Sequence, residues 1–152
     1  MSEIDSASIH ASAVRVQDWA VLIRGPSGSG KSRLAFDLIQ AGRSGQIPPT
    51  TLIGDDRVHL KSHEGRAFVR SAPSLAGLIE VRGLGIRTCN FVEEAVVGLV
   101  VDLDAPDAAR LPAAEALTVS LMGTRIPRIP VKTGFFPLPL VVAWITTSPG
   151  SK

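Results

Sequence analysis

Eight residues fix most of what this chain can become. Gly25-Pro26-Ser27-Gly28-Ser29-Gly30-Lys31-Ser32 satisfies the phosphate-loop pattern G-x-x-x-x-G-K-[ST] at every fixed position. The pattern demands a setting as well as a spelling. A buried strand must deliver the loop and a helix must leave it. The glycines curl the backbone so that successive N–H groups point at an anion, and the helix adds the positive end of its dipole. Both neighbours are present. WAVLIR at 19–24 is a short apolar run suited to a buried strand. KSRLAFDLIQA at 31–41 puts Leu34, Ala35, Leu38 and Ile39 on one helical face. Arg33, Asp37 and Gln40 are expected to face water, and Gly42 to end the helix as a C-cap. In such a setting Lys31 neutralises phosphate oxygens and Ser32 offers a hydroxyl to Mg²⁺.

The rest of the chain lacks the strand–helix alternation of a doubly wound nucleotide-binding fold. Residues 9–16 alternate as a strand, and 51–53 form a short strand entering Gly54-Asp55-Asp56. Residues 58–61 and 67–70 read as a hairpin around His63-Glu64-Gly65, and 73–78 as a helical turn. Glycine-punctuated EVRGLGI (80–86) comes next, then a buried strand at 95–103 and a Pro/Ala-rich connector at 104–116. A strand at 117–121, an extended 125–131 and a short hydrophobic helix at 138–145 complete the order. One or two helices against about seven strands predict an α/β fold: a mixed, largely antiparallel sheet around one major helix. The 152 residues make one domain, with 1–6 expected to be loose.

Composition narrows the function. Sixteen Lys and Arg against fourteen Asp and Glu give +2, and Tyr is absent beside 5 Phe and 2 Trp, so the basic, aromatic surface of a nucleic-acid binder is missing. No apolar run approaches the roughly eighteen residues of a membrane span. A single cysteine, Cys89, makes no internal disulfide and is expected to be a buried thiol in a reducing compartment. The opening MSEIDSASIH is acidic where a signal peptide would be basic, so a cytoplasmic location is expected.

A phosphate loop needs acidic partners. Asp55 and Asp56 follow a short strand, Glu80 follows Leu78-Ile79, and Asp102 ends another apolar run. Adjacent aspartates on an extended strand point to opposite sides, so one can serve a metal or ordered water while the other faces an acceptor. Gly54-Asp55-Asp56 also reads as a plain turn. Asp102 fits either the strand-end acid of ordinary phosphate-loop NTPases or a turn.

Together, His10, GPSGSGKS at 25–32, Gly54-Asp55-Asp56 and EVRGLGI at 80–86 resemble the catalytic domain of HPr kinase/phosphorylase, over roughly residues 8–103 with a weaker trace to about 135. The likeness is greatest to short proteobacterial forms without the family's N-terminal domain. It implies a phosphoenolpyruvate-carboxykinase-like sheet carrying a P-loop. It also implies ATP- and Mg²⁺-dependent phosphorylation of a serine of HPr, reversible by phosphorolysis. Carried across, Asp56 corresponds to the general base, and Lys31 with the loop backbone holds the phosphate. Ser32 and Glu80 match Mg²⁺ ligands, Asp55 supports them or orders the loop, and His10 lies beside the phosphate site. Arg82, with Gly83 and Gly85, belongs to the signature loop used in both directions. Expected partners are HPr or a nitrogen-type HPr, with a sensor histidine kinase and a homo-oligomer as further possibilities.

Three departures qualify the likeness. Where the family reads P-V-x-x-G-R-N, this chain reads Pro130-Val131-Lys132-Thr133-Gly134-Phe135-Phe136, which withdraws the support for phosphorolysis. The arginine-bearing segment before it is shortened to 104–124, and the long C-terminal helix to a hydrophobic tail with Pro137 and Pro139. The phosphate loop alone also fits a small-molecule kinase, a plain NTPase or a nucleotide-sensing regulator.

Overall fold

A computed structural model of the chain describes residues 6–150. Strands β1 (Ser6–Ile9), β2 (Ser12–Val16) and β3 (Trp19–Arg24) precede helix α1 (Lys31–Arg43). Next come β4 (Thr50–Gly54), β5 (Val58–His63), β6 (Arg66–Ser71), β7 (Leu78–Val81), β8 (Gly85–Thr88) and β9 (Glu94–Asp102). The chain continues through β10 (Thr118–Leu121), β11 (Thr124–Pro130) and helix α2 (Leu138–Thr146).

Nine strands share one sheet in the order β1-β5-β6-β9-β3-β2-β4, with β11 also beside β9 and β10 beside β11; β7 and β8 form a separate hairpin. The centre is β9, EAVVGLVVD, whose second half is almost continuously apolar, as a strand covered on both faces requires. Along Val96 to Asp102 it pairs in parallel with β3. Its other edge is shared, first by antiparallel β6 at Ala95 and Val96, then by parallel β11 at Val100 to Asp102. The other strand-to-strand pairings described are antiparallel, and an isolated bridge between Leu52 and Phe91 is parallel. This is the mixed sheet expected, with one long helix against it.

Side chains alternating along β3 feed two cores. Val21 and Ile23 pack with Leu34, Leu38, Val101 and Val141 on the helical side. Ala20 and Leu22 pack with Ile53, Val58, Leu60 and Val69 on the other.

Local differences from the sequence expectations have physical causes. The strand expected over 9–16 breaks at His10-Ala11 because its partners change: β1 pairs with β5, whereas β2 pairs with β3 and β4. Of the loose start expected over 1–6, positions 1–5 lie outside the described residues and Ser6 opens β1. Gly42 does not cap α1, which runs on to Arg43 with Ser44 as C-cap. Glycine is needed at 42 for closeness instead: a Cβ there would stand 2.8 Å from Thr50 N and 2.9 Å from Thr50 Oγ1. Cys89 is only half-buried, and burial still pushes its thiol pKa up, with Arg43 opposing. Among the described residues no helix is long and apolar enough to cross a membrane.

Candidate active site

The phosphate loop sits where β3 and β9 end side by side. Gly25 has φ +156°, and a Cβ on it would meet Ser29 Oγ at 2.6 Å and Leu103 Cβ at 3.0 Å, so glycine lets the strand end lie against its neighbour. Gly28 (φ +82°) and Gly30 (φ +101°) differ, since a Cβ on either would enter open space. Gly30 caps α1 in the left-handed region; no side chain caps this end and no acidic residue lies in the first turn. Helix starts leave N–H groups unsatisfied, and this one faces the loop's concavity. Lys31 Nζ lies across the loop, donating to the carbonyls of Gly25 (2.8 Å) and Pro26 (3.1 Å). The cradle is cationic, uncapped and open: a phosphate fits it.

The paired aspartates separate by backbone conformation. Register brings Ala13 opposite Gly54, so Ser12 arrives beside Asp55. Asp55 is 5% exposed and anchored on three sides. It accepts from Ser12 Oγ at 2.6 Å, from Ser32 Oγ at 2.7 and 2.9 Å, and from Glu80 N at 3.0 Å. Asp56 adopts φ +69°, a left-handed turn that aspartate tolerates better than most residues, and is exposed. One carboxylate therefore faces inward to hold the loop's serine and β7 together. The other faces out.

A cavity of about 980 Å³ joins these parts. Its wall includes Ser27 to Ser32, Ser12, Asp56, Glu80 and Arg82, together with Arg33, Phe36 and Asp37 of α1 and Lys132, Gly134, Phe135 and Phe136. Gly25, Pro26 and Asp55 lie outside this wall. His10 is also outside it: the residue sits exposed at the break between β1 and β2, with Nε2 2.9 Å from Arg57 Nη2. Arg57 also donates to Ser8 Oγ at 3.0 Å. His10 thus approaches the site only through the residue after Asp56. Arg82 is exposed on the turn between β7 and β8, where Leu84 of the turn and Ile86 of β8 are 69% and 65% exposed.

Among the described residues no group of three or more His, Cys, Asp or Glu could hold a metal alone. Mg²⁺ takes one or two protein oxygens and completes its shell with phosphate and water. Ser32 donates its proton to Asp55 and so keeps oxygen lone pairs free, and Glu80 contributes an exposed carboxylate to the same cavity.

Asp102 is not a metal-ligating acid. Arg24 grips it with two bonds of 2.7 and 2.8 Å, and Arg128 holds it as well while reaching Asp107 at 2.8 Å. Burial pushes its pKa up, but the hydrogen bonds and charges of Arg24 and Arg128 outweigh this and hold it below the usual carboxylate value. Ser12, Arg57, Asp37 and Lys132 were not read from the sequence as site residues. Nothing in local spacing marks them, because strand register and the return of residues 131–137 bring them to the site.

Comparison with known proteins gives a consistent result. The model for "HPr Serine kinase C-terminal domain" matches residues 3–135. An HPr kinase/phosphorylase of Lacticaseibacillus casei is 36% identical over 141 residues, covering 84% of this chain and 42% of the relative. One from Enterococcus faecalis is 38% identical over 141 residues, covering 84% and 43%. This chain spans about two fifths of the length of these curated relatives. The solved Hpr(Ser) kinase/phosphatase from Coxiella burnetii shares the fold, with a TM-score of 0.71 over 90% of this chain and 87% of that one at 23% identity.

Proposed function

The chain belongs to the HPr serine kinase C-terminal domain family, and from that premise we propose that it is a serine protein kinase, moving the γ-phosphoryl group of ATP to HPr or a nitrogen-type HPr. The observation that carries this reading is the shared cavity: an uncapped phosphate loop, exposed Asp56 and Glu80 line one space, with Asp55 pinned beneath them.

ATP with Mg²⁺ would supply an activated phosphoryl group whose charge is partly neutralised. Loop N–H groups and Lys31 hold that phosphate, and Lys31 must first leave the carbonyls of Gly25 and Pro26. Ser32 and Glu80 would hold Mg²⁺, and Asp55 orients both, through the Ser32 hydroxyl and the Glu80 backbone. Asp56 accepts the proton of the acceptor serine, for which its exposure gives access. Arg82 accompanies the phosphoryl group from the exposed turn. His10 is a positioning residue acting through Arg57.

Phe135 stands at the cavity where the family has arginine, and a phenyl ring offers phosphate neither charge nor a strong hydrogen bond. Forward transfer is therefore the direction that the cavity's residues support, and phosphorolysis lacks that support at position 135. A cytoplasmic location, one catalytic domain, self-assembly and a sensor histidine kinase as partner belong to the same proposal.

The test is to incubate the protein with ATP, Mg²⁺ and HPr, then locate phosphate by mass spectrometry. Phosphoserine on the carrier is expected. Tight nucleotide binding with no modified carrier would favour a nucleotide-sensing regulator.

A further inference from the structure

We propose that Lys132 is a second phosphate-binding cation of the cavity, meeting the polyphosphate chain of the nucleotide from the end of β11. The proposal rests on the ATP reading above and extends it to a residue outside the phosphate loop.

The parallel strands β3, β9 and β11 end side by side here. Register sets Arg24 of β3 opposite Asp102 of β9, and Asp102 opposite Pro130 of β11. Beyond that level each strand sends a charged group to one cavity: β3 runs into the loop that carries Lys31, β9 into Asp104, and β11 into Lys132. The carboxyl ends of neighbouring parallel strands are a common place for ligand groups. The level is held firmly. Arg24 and Arg128 both bind Asp102, and Leu103 N donates to Arg24 O at 2.8 Å. Val131 N donates to Asp102 O at 2.8 Å, and Ala105 N to Val131 O at 2.9 Å. Val131 is 1% exposed, so the residue before Lys132 is fixed. With β9 between them, the ends of β3 and β11 stand about 10 Å apart, two strand spacings. A lysine's flexible four-carbon stem covers much of that gap.

The state of the ammonium is the second observation. Lys31 donates to the carbonyls of Gly25 and Pro26, and Arg33 is paired with Asp37. Lys132 differs. Its ammonium makes no hydrogen bond or ion pair among the described residues, and its Nζ stands 5.9 Å from the Phe135 centroid. A turn in which Phe135 N donates to Lys132 O at 3.0 Å brings the ring beside it. An ammonium resting near a ring keeps its three donors for an oxyanion. Position 135 carries that ring where the family has arginine, so the cation this turn offers to phosphate is Lys132.

Calorimetry on the full chain with Mg²⁺ and two probes, ATP and inorganic tripolyphosphate, tests the assignment. Lys132→Ala should weaken both probes alike, about tenfold or more, and flatten the fall of affinity with added salt. Lys132→Arg should keep most of the binding. Because Lys132 is exposed, both variants should unfold thermally with the unsubstituted chain. Unchanged tripolyphosphate affinity in Lys132→Ala would overturn the contact, as would an unchanged salt slope or an equal loss in Lys132→Arg. If the unsubstituted chain binds neither probe, the ATP reading falls and this proposal with it. If it binds both but transfers nothing to HPr, the kinase reading falls while a loss in Lys132→Ala still supports the contact.

Discussion

Asp55 and Asp56 are neighbours in sequence and opposites in environment. The buried one accepts from Ser12, Ser32 and the Glu80 backbone, and the exposed one turns toward solvent through φ +69°. Alternation along a strand says that two such residues diverge, but not which goes inward. That choice depends on the left-handed turn at Asp56 and on Ser12 arriving from β2, neither of which is local spacing. Removing the inward carboxylate strands two hydroxyls and an N–H. Asp55→Ala should therefore lower stability by about 2–4 kcal/mol, read from the urea midpoint. Gly42 sets two effects against each other. Alanine inside a helix gains about 1 kcal/mol over glycine, but the new methyl would meet Thr50 at 2.8–2.9 Å, including backbone. Overpacking of this kind costs about 1–3 kcal/mol. Gly42→Ala should be net destabilising in thermal unfolding, and a raised Tm would contradict the close approach.

At the scale of elements, α1 was legible because its apolar spacing, preceding strand and loop all agree: Leu34, Ala35, Leu38 and Ile39 are buried. Asp37 was the exception, since only the returning chain at 131–137 makes its side of the helix a cavity wall. Asp102 was legible as a strand end and illegible in role. Its partners come from β3 and β11, 78 and 26 residues away. The network ties together three strand ends beneath the phosphate loop. Because Asp102 titrates below its unfolded value of about 3.9, its stabilisation is complete above that pH and is lost as pH falls through the depressed folded value. The urea-midpoint gap between the unsubstituted protein and Asp102→Asn should be constant from about pH 7 to 5 and shrink below about pH 4. A gap independent of pH would mean that the charge is not what stabilises.

Across the whole molecule, the strand-rich count excluded a doubly wound sheet, but the order of strands was not readable. Pairings such as β3 with β9 join residues far apart in sequence, and the division of one β9 edge between β6 and β11 follows from length and register. Helix α2 is held to this sheet by buried Val141 and by an edge-on contact between Trp144 and Trp19, 5.9 Å between centroids. Trp19 in turn occupies the space that Gly98 leaves, where a Cβ would stand 2.8 Å from the indole. The consequence is a frame that presents the phosphate loop, Asp56 and Glu80 to one cavity. The most direct test is the initial rate of phosphoryl transfer from labelled ATP to the serine of HPr, compared between this chain and Asp56→Asn. The account predicts phosphoserine from the unsubstituted chain and a rate about 10²–10⁴-fold lower in the variant, with ATP affinity retained. Equal rates, or ATP binding without any transfer to the carrier, would contradict it.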